Sequence, residues 1–205
     1  MKTGKIISGL LAISAFFPSF ASAGSAAREE ISRLPLYCQH QWFISGRYGG
    51  YSEEERKRKA SYWQRKMGLG SMYQHMHHWC DALATINRYY AHLGDSQPSE
   101  FYLKEAIGDI SYVLNQADDS FIMLPEMVTQ RGKLYALLKQ PDKAAADFTK
   151  SIMVNRKYSR AYLYYSDLYL DMKQAEMAKE IIKSGLAANP QSKDLLKRAQ
   201  RLGLK

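Results

Sequence analysis

The feature that most constrains this chain is a self-similarity at an offset of 34 residues in its second half. Gly132 corresponds to Ser166, Tyr135 to Tyr169, Ala144 to Ala178, Phe148 to Ile182, Ser151 to Gly185 and Arg156 to Pro190. A period of this length holds two helices and their turns, a unit too small to bury its own apolar face, so successive units must stack to share a core. The recurring positions have physical content. A small residue at Gly132 or Ser166 lets the two helices of a unit approach closely, Ala144 and Ala178 face it, and Tyr135 and Tyr169 fill the space between helices. Pro125 and Pro141 suit the first turn of a helix, while Ser159 and Ser192 suit N-caps. The units are expected at residues 125–158 and 159–192.

The order small, x2, Tyr, x8, Ala, x3, large apolar, x2, small, x4, Pro or Arg resembles the tetratricopeptide repeat. The chain departs from that pattern at Val128 and Tyr162, where the repeat often carries Trp, and at Arg156, which replaces the first closing proline. The resemblance implies an all-α fold, a short solenoid of antiparallel helix pairs in which the first helix of each unit lines a concave face. It directs Glu126, Thr129, Lys133, Ala136 and Leu137 of one unit, and Arg160, Leu163, Asp167, Leu170 and Asp171 of the next, into that face. Tyr164 falls off the core register and is a candidate interface anchor. A polar face with an apolar floor suits an extended peptide or a helix better than a small molecule, which needs a deeper pocket.

Upstream, residues 99–116 carry Ala106, Ile110 and Val113 at the spacing of the later second helices, and residues 74–93 have a helical pattern before them. Residues 74–124 therefore read as a divergent helix pair with a longer connection at residues 94–98. Ser52 followed by Glu55 is a capping box, opening a helix to about Met67 with Tyr62 and Trp63 on its buried side. Residues 46–50 read as a turn-rich linker, and residues 24–73 as an N-terminal helical extension. At the other end Leu195, Leu196, Ala199 and Leu202 form an apolar stripe backed by Lys193, Lys197, Arg198 and Arg201, with Gly203 as a stop. Residues 193–205 are thus expected to cap the solenoid, and no strand is expected anywhere.

The first 23 residues read as a cleavable signal peptide. Lys2 and Lys5 precede 12 apolar or small residues at 6–17, Pro18 breaks the run, and Ala21, Ser22 and Ala23 offer a cleavage site before Gly24. Twelve residues rise only about 18 Å as a helix, short of a ~30 Å hydrocarbon core, so no membrane span is expected. This places the chain in the periplasm or outside the cell. With 29 Lys and Arg against 20 Asp and Glu the net charge is +9, concentrated toward the two ends. Nucleic acid is a poor partner for an exported solenoid despite that balance; a protein or peptide of the cell envelope is the expected one. The basic C-terminal helix is either the solvated back of the cap or a landing face for an anionic envelope surface.

Four of the five histidines lie near the two cysteines, in Cys38-x-His40 and His75-x-His77-His78-x-Cys80. Export favours a Cys38–Cys80 disulfide. The alternative is a metal site of Cys38, His40, His77 and Cys80, or a thiol-active centre in which His77 or His78 serves an unpaired Cys80. A third possibility is that the histidines only pack. There is no nucleophile elbow, phosphate loop or H-E-x-x-H motif, so no catalytic residues and no cofactor are assigned. Two functions from different classes follow: a non-enzymatic exported adaptor that grips a partner in its concave face, and a small metal-binding or thiol-active protein centred on the Cys/His cluster.

Overall fold

The computed structural model describes residues 29–44, 51–93 and 99–204. The signal-peptide reading at 1–23 and the turn-rich stretches at 46–50 and 94–98 lie outside the described residues. All regular secondary structure among the described residues is helical, with no strand. In chain order the helices are α1 (Leu36–Ile44), α2 (Glu53–Met67), a 3-10 turn (Gly70–His75), α3 (Met76–Ala91), α4 (Ser99–Gln116), α5 (Leu124–Leu137), α6 (Pro141–Val154), α7 (Ser159–Asp171), α8 (Ala175–Ala188) and α9 (Lys193–Arg201). The fold is an α-solenoid. The pairs α3/α4, α5/α6 and α7/α8 pack as hairpins, each second helix meets the first helix of the next pair, and α5 touches α7 directly. Helix α9 closes the end against α7 and α8, while α1 docks on α2 and α3.

Packing within a pair follows the small-residue positions. A Cβ on Gly132 would lie 2.8 Å from the Phe148 ring, and one on Gly185 would lie 2.9 Å from Tyr162. Ala144, Phe148, Ala178 and Ile182 are fully buried, as is Ser166. The two hairpin turns also repeat: Lys139 and Lys173, 34 apart, both adopt the left-handed conformation, with φ of 57° and 62°. The amides after them close the same bond, Gln140 N–H to the Tyr135 carbonyl at 2.9 Å and Gln174 N–H to Tyr169 at 2.8 Å. Glycine usually takes such a position, so lysine here carries a backbone strain that the rest of the unit must outweigh.

Helix starts follow their local chemistry, with one exception. Pro125 and Pro141 occupy first-turn positions, and Ser52 and Glu55 form the full capping box of α2. Ser192 caps α9. Ser159 does not cap α7, because Tyr158 takes the N-cap position and the Ser159 hydroxyl instead accepts from the Asn189 side chain at 3.1 Å. Tyr62 also departs from expectation: Trp63 is buried, whereas Tyr62 is 48% exposed. Helix α2 packs by one narrow edge, and a residue 100° from Trp63 falls outside it.

Two exposed-versus-packed glycines separate close approach from helix propensity. Gly132→Ala should destabilise by about 1–2 kcal/mol net, overpacking against Phe148 outweighing the propensity gain of about 1 kcal/mol. Gly108→Ala, in mid α4 with nothing within 4 Å of the added carbon, should stabilise by about 0.5–1 kcal/mol. Urea titration of both variants checks this; a stabilised Gly132→Ala would refute the packing account.

Candidate functional site

The inner face of the solenoid is built by α3, α5 and α7. Lys133 of α5 sits between two aromatic rings, its Nζ 5.2 Å from the centroid of Tyr90 on α3 and 5.2 Å from that of Tyr164 on α7. One ammonium therefore ties three consecutive first helices together through cation–π contacts. Tyr90 is 42% exposed, Lys133 and Tyr164 are half-buried, and Arg160 is exposed. Toward the N-terminal ends of α5 and α7, Glu126 is half-buried. Burial pushes its carboxyl above the ordinary carboxylate range, with the Arg160 charge acting against that rise. Arg160 is partnered to the Tyr158 hydroxyl. Tyr37 of α1 completes this corner; burial pushes its hydroxyl up to about 12, and it accepts a bond from the Trp79 indole at 2.8 Å.

The structure thus brings Glu126, Lys133, Arg160 and Tyr164 to one face, and separates other expected groove residues from it. Thr129 is buried: its hydroxyl donates to Ser151 Oγ at 2.8 Å, and that hydroxyl donates to the Pro125 carbonyl at 2.9 Å. It locks α5 to α6 and is not available to a ligand. Asp167 is ion-paired with Arg198 of the capping helix, so both belong to the joint between α7 and α9, and Arg198 does not sit on the solvated back of the cap. Leu163 is half-buried and packs on the cluster around Tyr162 and Ile182. Asp171 is exposed and lines, with Ala136, Pro141 and Met172, a cleft of about 190 Å³ between the hairpin turns, below the ~300 Å³ at which small-molecule pockets begin.

The most consequential contact without a signal in the repeat is Arg131 with Asp147. Arg131 Nε and Nη2 donate to the two carboxylate oxygens at 2.8 and 2.7 Å, and Nη1 donates to Ser111 Oγ at 3.0 Å. A bidentate pair joins α5 to α6 and reaches back to α4. Its equivalents 34 residues on are Tyr165 and Ile181, so the repeat does not flag it. Tyr90 was equally invisible, because the longer α3–α4 connection breaks the 34-residue count upstream.

Cys38 and Cys80 are joined in a disulfide, their Cα atoms 5.2 Å apart and both fully buried. This corrects the metal and thiol readings: neither sulfur is a thiolate, so Cys80 is no nucleophile and the set Cys38, His40, His77, Cys80 offers no soft donors. The histidines also diverge. His40 Nδ1 meets the Tyr51 hydroxyl at 3.1 Å, His77 Nδ1 meets the Gln74 carbonyl at 2.9 Å, and His78 pairs with Asp109 at 2.8 Å beneath the Tyr112 ring. Among the described residues no group of three or more His, Cys, Asp or Glu is placed to hold a metal ion.

The tetratricopeptide-repeat family profile matches residues 135–202. That segment, about a third of the chain, is similar to the tetratricopeptide repeat. A thermophilic tetratricopeptide protein from Thermus thermophilus shares the fold, with 18% identity, a TM-score of 0.56, and coverage of 88% of this chain and 87% of that one. The tetratricopeptide domain of Sgt2 from Aspergillus fumigatus aligns at 21% identity, TM-score 0.44, over 60% and 77% of the two chains. The first such domain of human RPAP3 aligns at 19%, TM-score 0.43, over 60% and 89%. No curated protein matches the chain. The family match begins at Tyr135 and includes the capping helix, while the extension α1–α2 and the α3/α4 pair lie outside it.

Loss of the disulfide should act on one end only. A Cys38→Ser, Cys80→Ser double variant should lose about 3–4 kcal/mol of constraint on the 42-residue loop, seen as faster amide exchange in α1 and α2 with α5–α9 unaffected. Uniform loss of protection would contradict this. The raised pKa of Glu126 has a definite sign: the protonated carboxyl is favoured in the folded state, so its contribution is full at acid pH and is lost as pH rises through the folded-state value. Glu126→Gln should therefore raise the melting temperature at pH 7 and leave it unchanged at about pH 3, below the ordinary value of ~4.3. Equal shifts at both pH values would show that the carboxylate charge is not the cause.

Proposed function

We propose that this protein is an exported adaptor that holds an extended segment of another cell-envelope protein against its inner face. The observation that carries the reading is the Tyr90–Lys133–Tyr164 row: three first helices present aromatic rings and a cation in line, partly accessible, where a bound chain would run across them. Aromatic side chains with a polar tip are the usual anchors of protein interfaces, since they supply large contact area with few rotatable bonds. Arg160 and the half-buried Glu126 extend the row with charges of both signs, which favours a polypeptide over a uniformly charged partner. The leader-like residues 1–23 support export, and no helix of the described residues is long and apolar enough to cross a membrane. Lys197 and Arg201 are exposed on α9 and supply, in this reading, weak and salt-sensitive attraction to anionic envelope surfaces.

The test is photo-crosslinking in cells from an unnatural amino acid at position 90 in the groove and at position 112 outside it. A discrete protein adduct is expected from position 90 alone. Lys133→Gln with Arg160→Gln should reduce it about tenfold or more, without lowering the melting temperature by more than a few degrees. The same adduct from both positions, or full capture by the double variant, would remove the groove from the function. Protein recovered from the periplasm with an N-terminus at Gly24 is the matching expectation for export.

A further inference from the structure

Helix α2 is nearly bare. Of its fifteen residues only Trp63 is buried, and its surface carries Arg56, Lys57, Arg58, Lys59, Arg65 and Lys66. Between it and α1 lies a cleft of about 360 Å³. Leu36 and His40 form the α1 wall; Arg58, Lys59, Tyr62, Trp63 and Lys66 form the α2 wall, and no carboxylate among the described residues lines it. The lysines are held in place by rings. Lys59 Nζ lies 4.7 Å from the Tyr51 centroid, and Lys66 Nζ lies 5.0 Å from Trp63 and 5.2 Å from Tyr62 while donating to the Tyr62 hydroxyl at 2.9 Å. The nearby acids offset them only in part: Glu53 pairs with Lys57 at 2.7 Å, and Glu55, which feels the charges of Arg58 and Lys59, is held at the helix start by the Ser52 amide at 2.9 Å. Leu36 is 56% exposed and Tyr62 48%, so the same cleft has an open apolar rim.

We propose that the α1–α2 cleft is a second binding site, taking an acidic side chain flanked by an apolar residue on a partner polypeptide. The carboxylate meets Arg58, Lys59 and Lys66, and the apolar neighbour covers Leu36 and the Tyr62 ring. Cations ordered against aromatic rings give charge-assisted bonds at less entropic cost than a flexible surface lysine. The volume admits one or two side chains, not a helix or a strand. A flat anionic membrane is disfavoured because Glu53 and Glu54 are exposed in the first turn of the same helix and would face it, whereas a single carboxylate inserted in the cleft meets a lining whose charged side chains are Arg58, Lys59 and Lys66. The cleft shares no lining residue with the Tyr90–Lys133–Tyr164 row, although Trp63 touches Tyr37 of the Glu126 corner, ring centroids 6.5 Å apart.

His40 reports occupancy. Its proton is disfavoured by burial and by Lys59, and the charged or titratable groups around it are Tyr51, Arg58, Lys59, Tyr62 and Lys66. A carboxylate seated beside Lys59 offsets that charge and raises the His40 value toward its ordinary range.

The test uses the full chain and a capped pentapeptide, Asp-Leu-Glu-Phe-Gly, against the same peptide with Asn and Gln in place of the acids. Supporting results are saturable binding of the acidic peptide, binding at least about tenfold weaker for the amide peptide and for a Lys59→Gln, Lys66→Gln variant, and an upward shift of the His40 titration by NMR on binding. Lys133→Gln should leave all of this unchanged; loss of binding there would place the peptide on the inner face and end the proposal. Equal binding of both peptides, an unmoved His40, or binding only to phosphatidylglycerol vesicles would each overturn it, the last in favour of a lipid headgroup.

Discussion

Close contact between paired helices, allowed by missing side-chain atoms, is the constraint on which the rest of the molecule depends. At Gly132 and Gly185 there is no room for a Cβ, and Ala144 and Ala178 are fully enclosed. Helices that approach this closely cannot slide by a residue without driving a side chain into backbone, so register is set within each pair before any polar contact is made. That register then decides which residues of α5 and α7 face inward, and so places Lys133 beside Tyr164.

Polar contacts are layered on this packing and differ from unit to unit. Arg131 and Asp147 tie α4, α5 and α6, Thr129 and Ser151 fill the same joint with a hydroxyl chain, and Arg198 reaches from the cap to Asp167. Asp147 is 6% exposed and its charge is matched by a bidentate partner. Breaking such a pair costs more than making it contributes, so its role is to make wrong pairings of helices unfavourable. In the second unit the equivalent places hold Tyr165 and Ile181, and the Phe148 and Tyr165 rings, 5.7 Å apart, join the units by aromatic contact instead.

The N-terminal end is organised differently. There the buried disulfide, the Trp79–Tyr37 bond and the Arg88–Glu30 pair at 2.5 Å fasten α1 and the helical residues 29–32 before it onto α3. Helix α2 gains little from this core and remains a charged, solvated arm held through Trp63.

The sequence by itself determined the helical class, the two units, the capping box at Ser52, the prolines that open α5 and α6, and the closing role of α9, because each follows from local spacing or from a period that repeats. It also narrowed the cysteines to a pair or a ligand set. Tertiary structure alone decided which polar residues are free to bind. Thr129 and Asp167 sit at groove positions by count, yet one is consumed by Ser151 and the other by Arg198, partners 22 and 31 residues away that no local pattern announces. Tyr90 joined the site only because α4 packs between α3 and α5 and brings the Tyr90 ring to Lys133, across a connection whose length breaks the repeat. Periodicity reports the direction in which a side chain leaves its helix; whether another helix arrives to meet it depends on packing between elements distant in sequence.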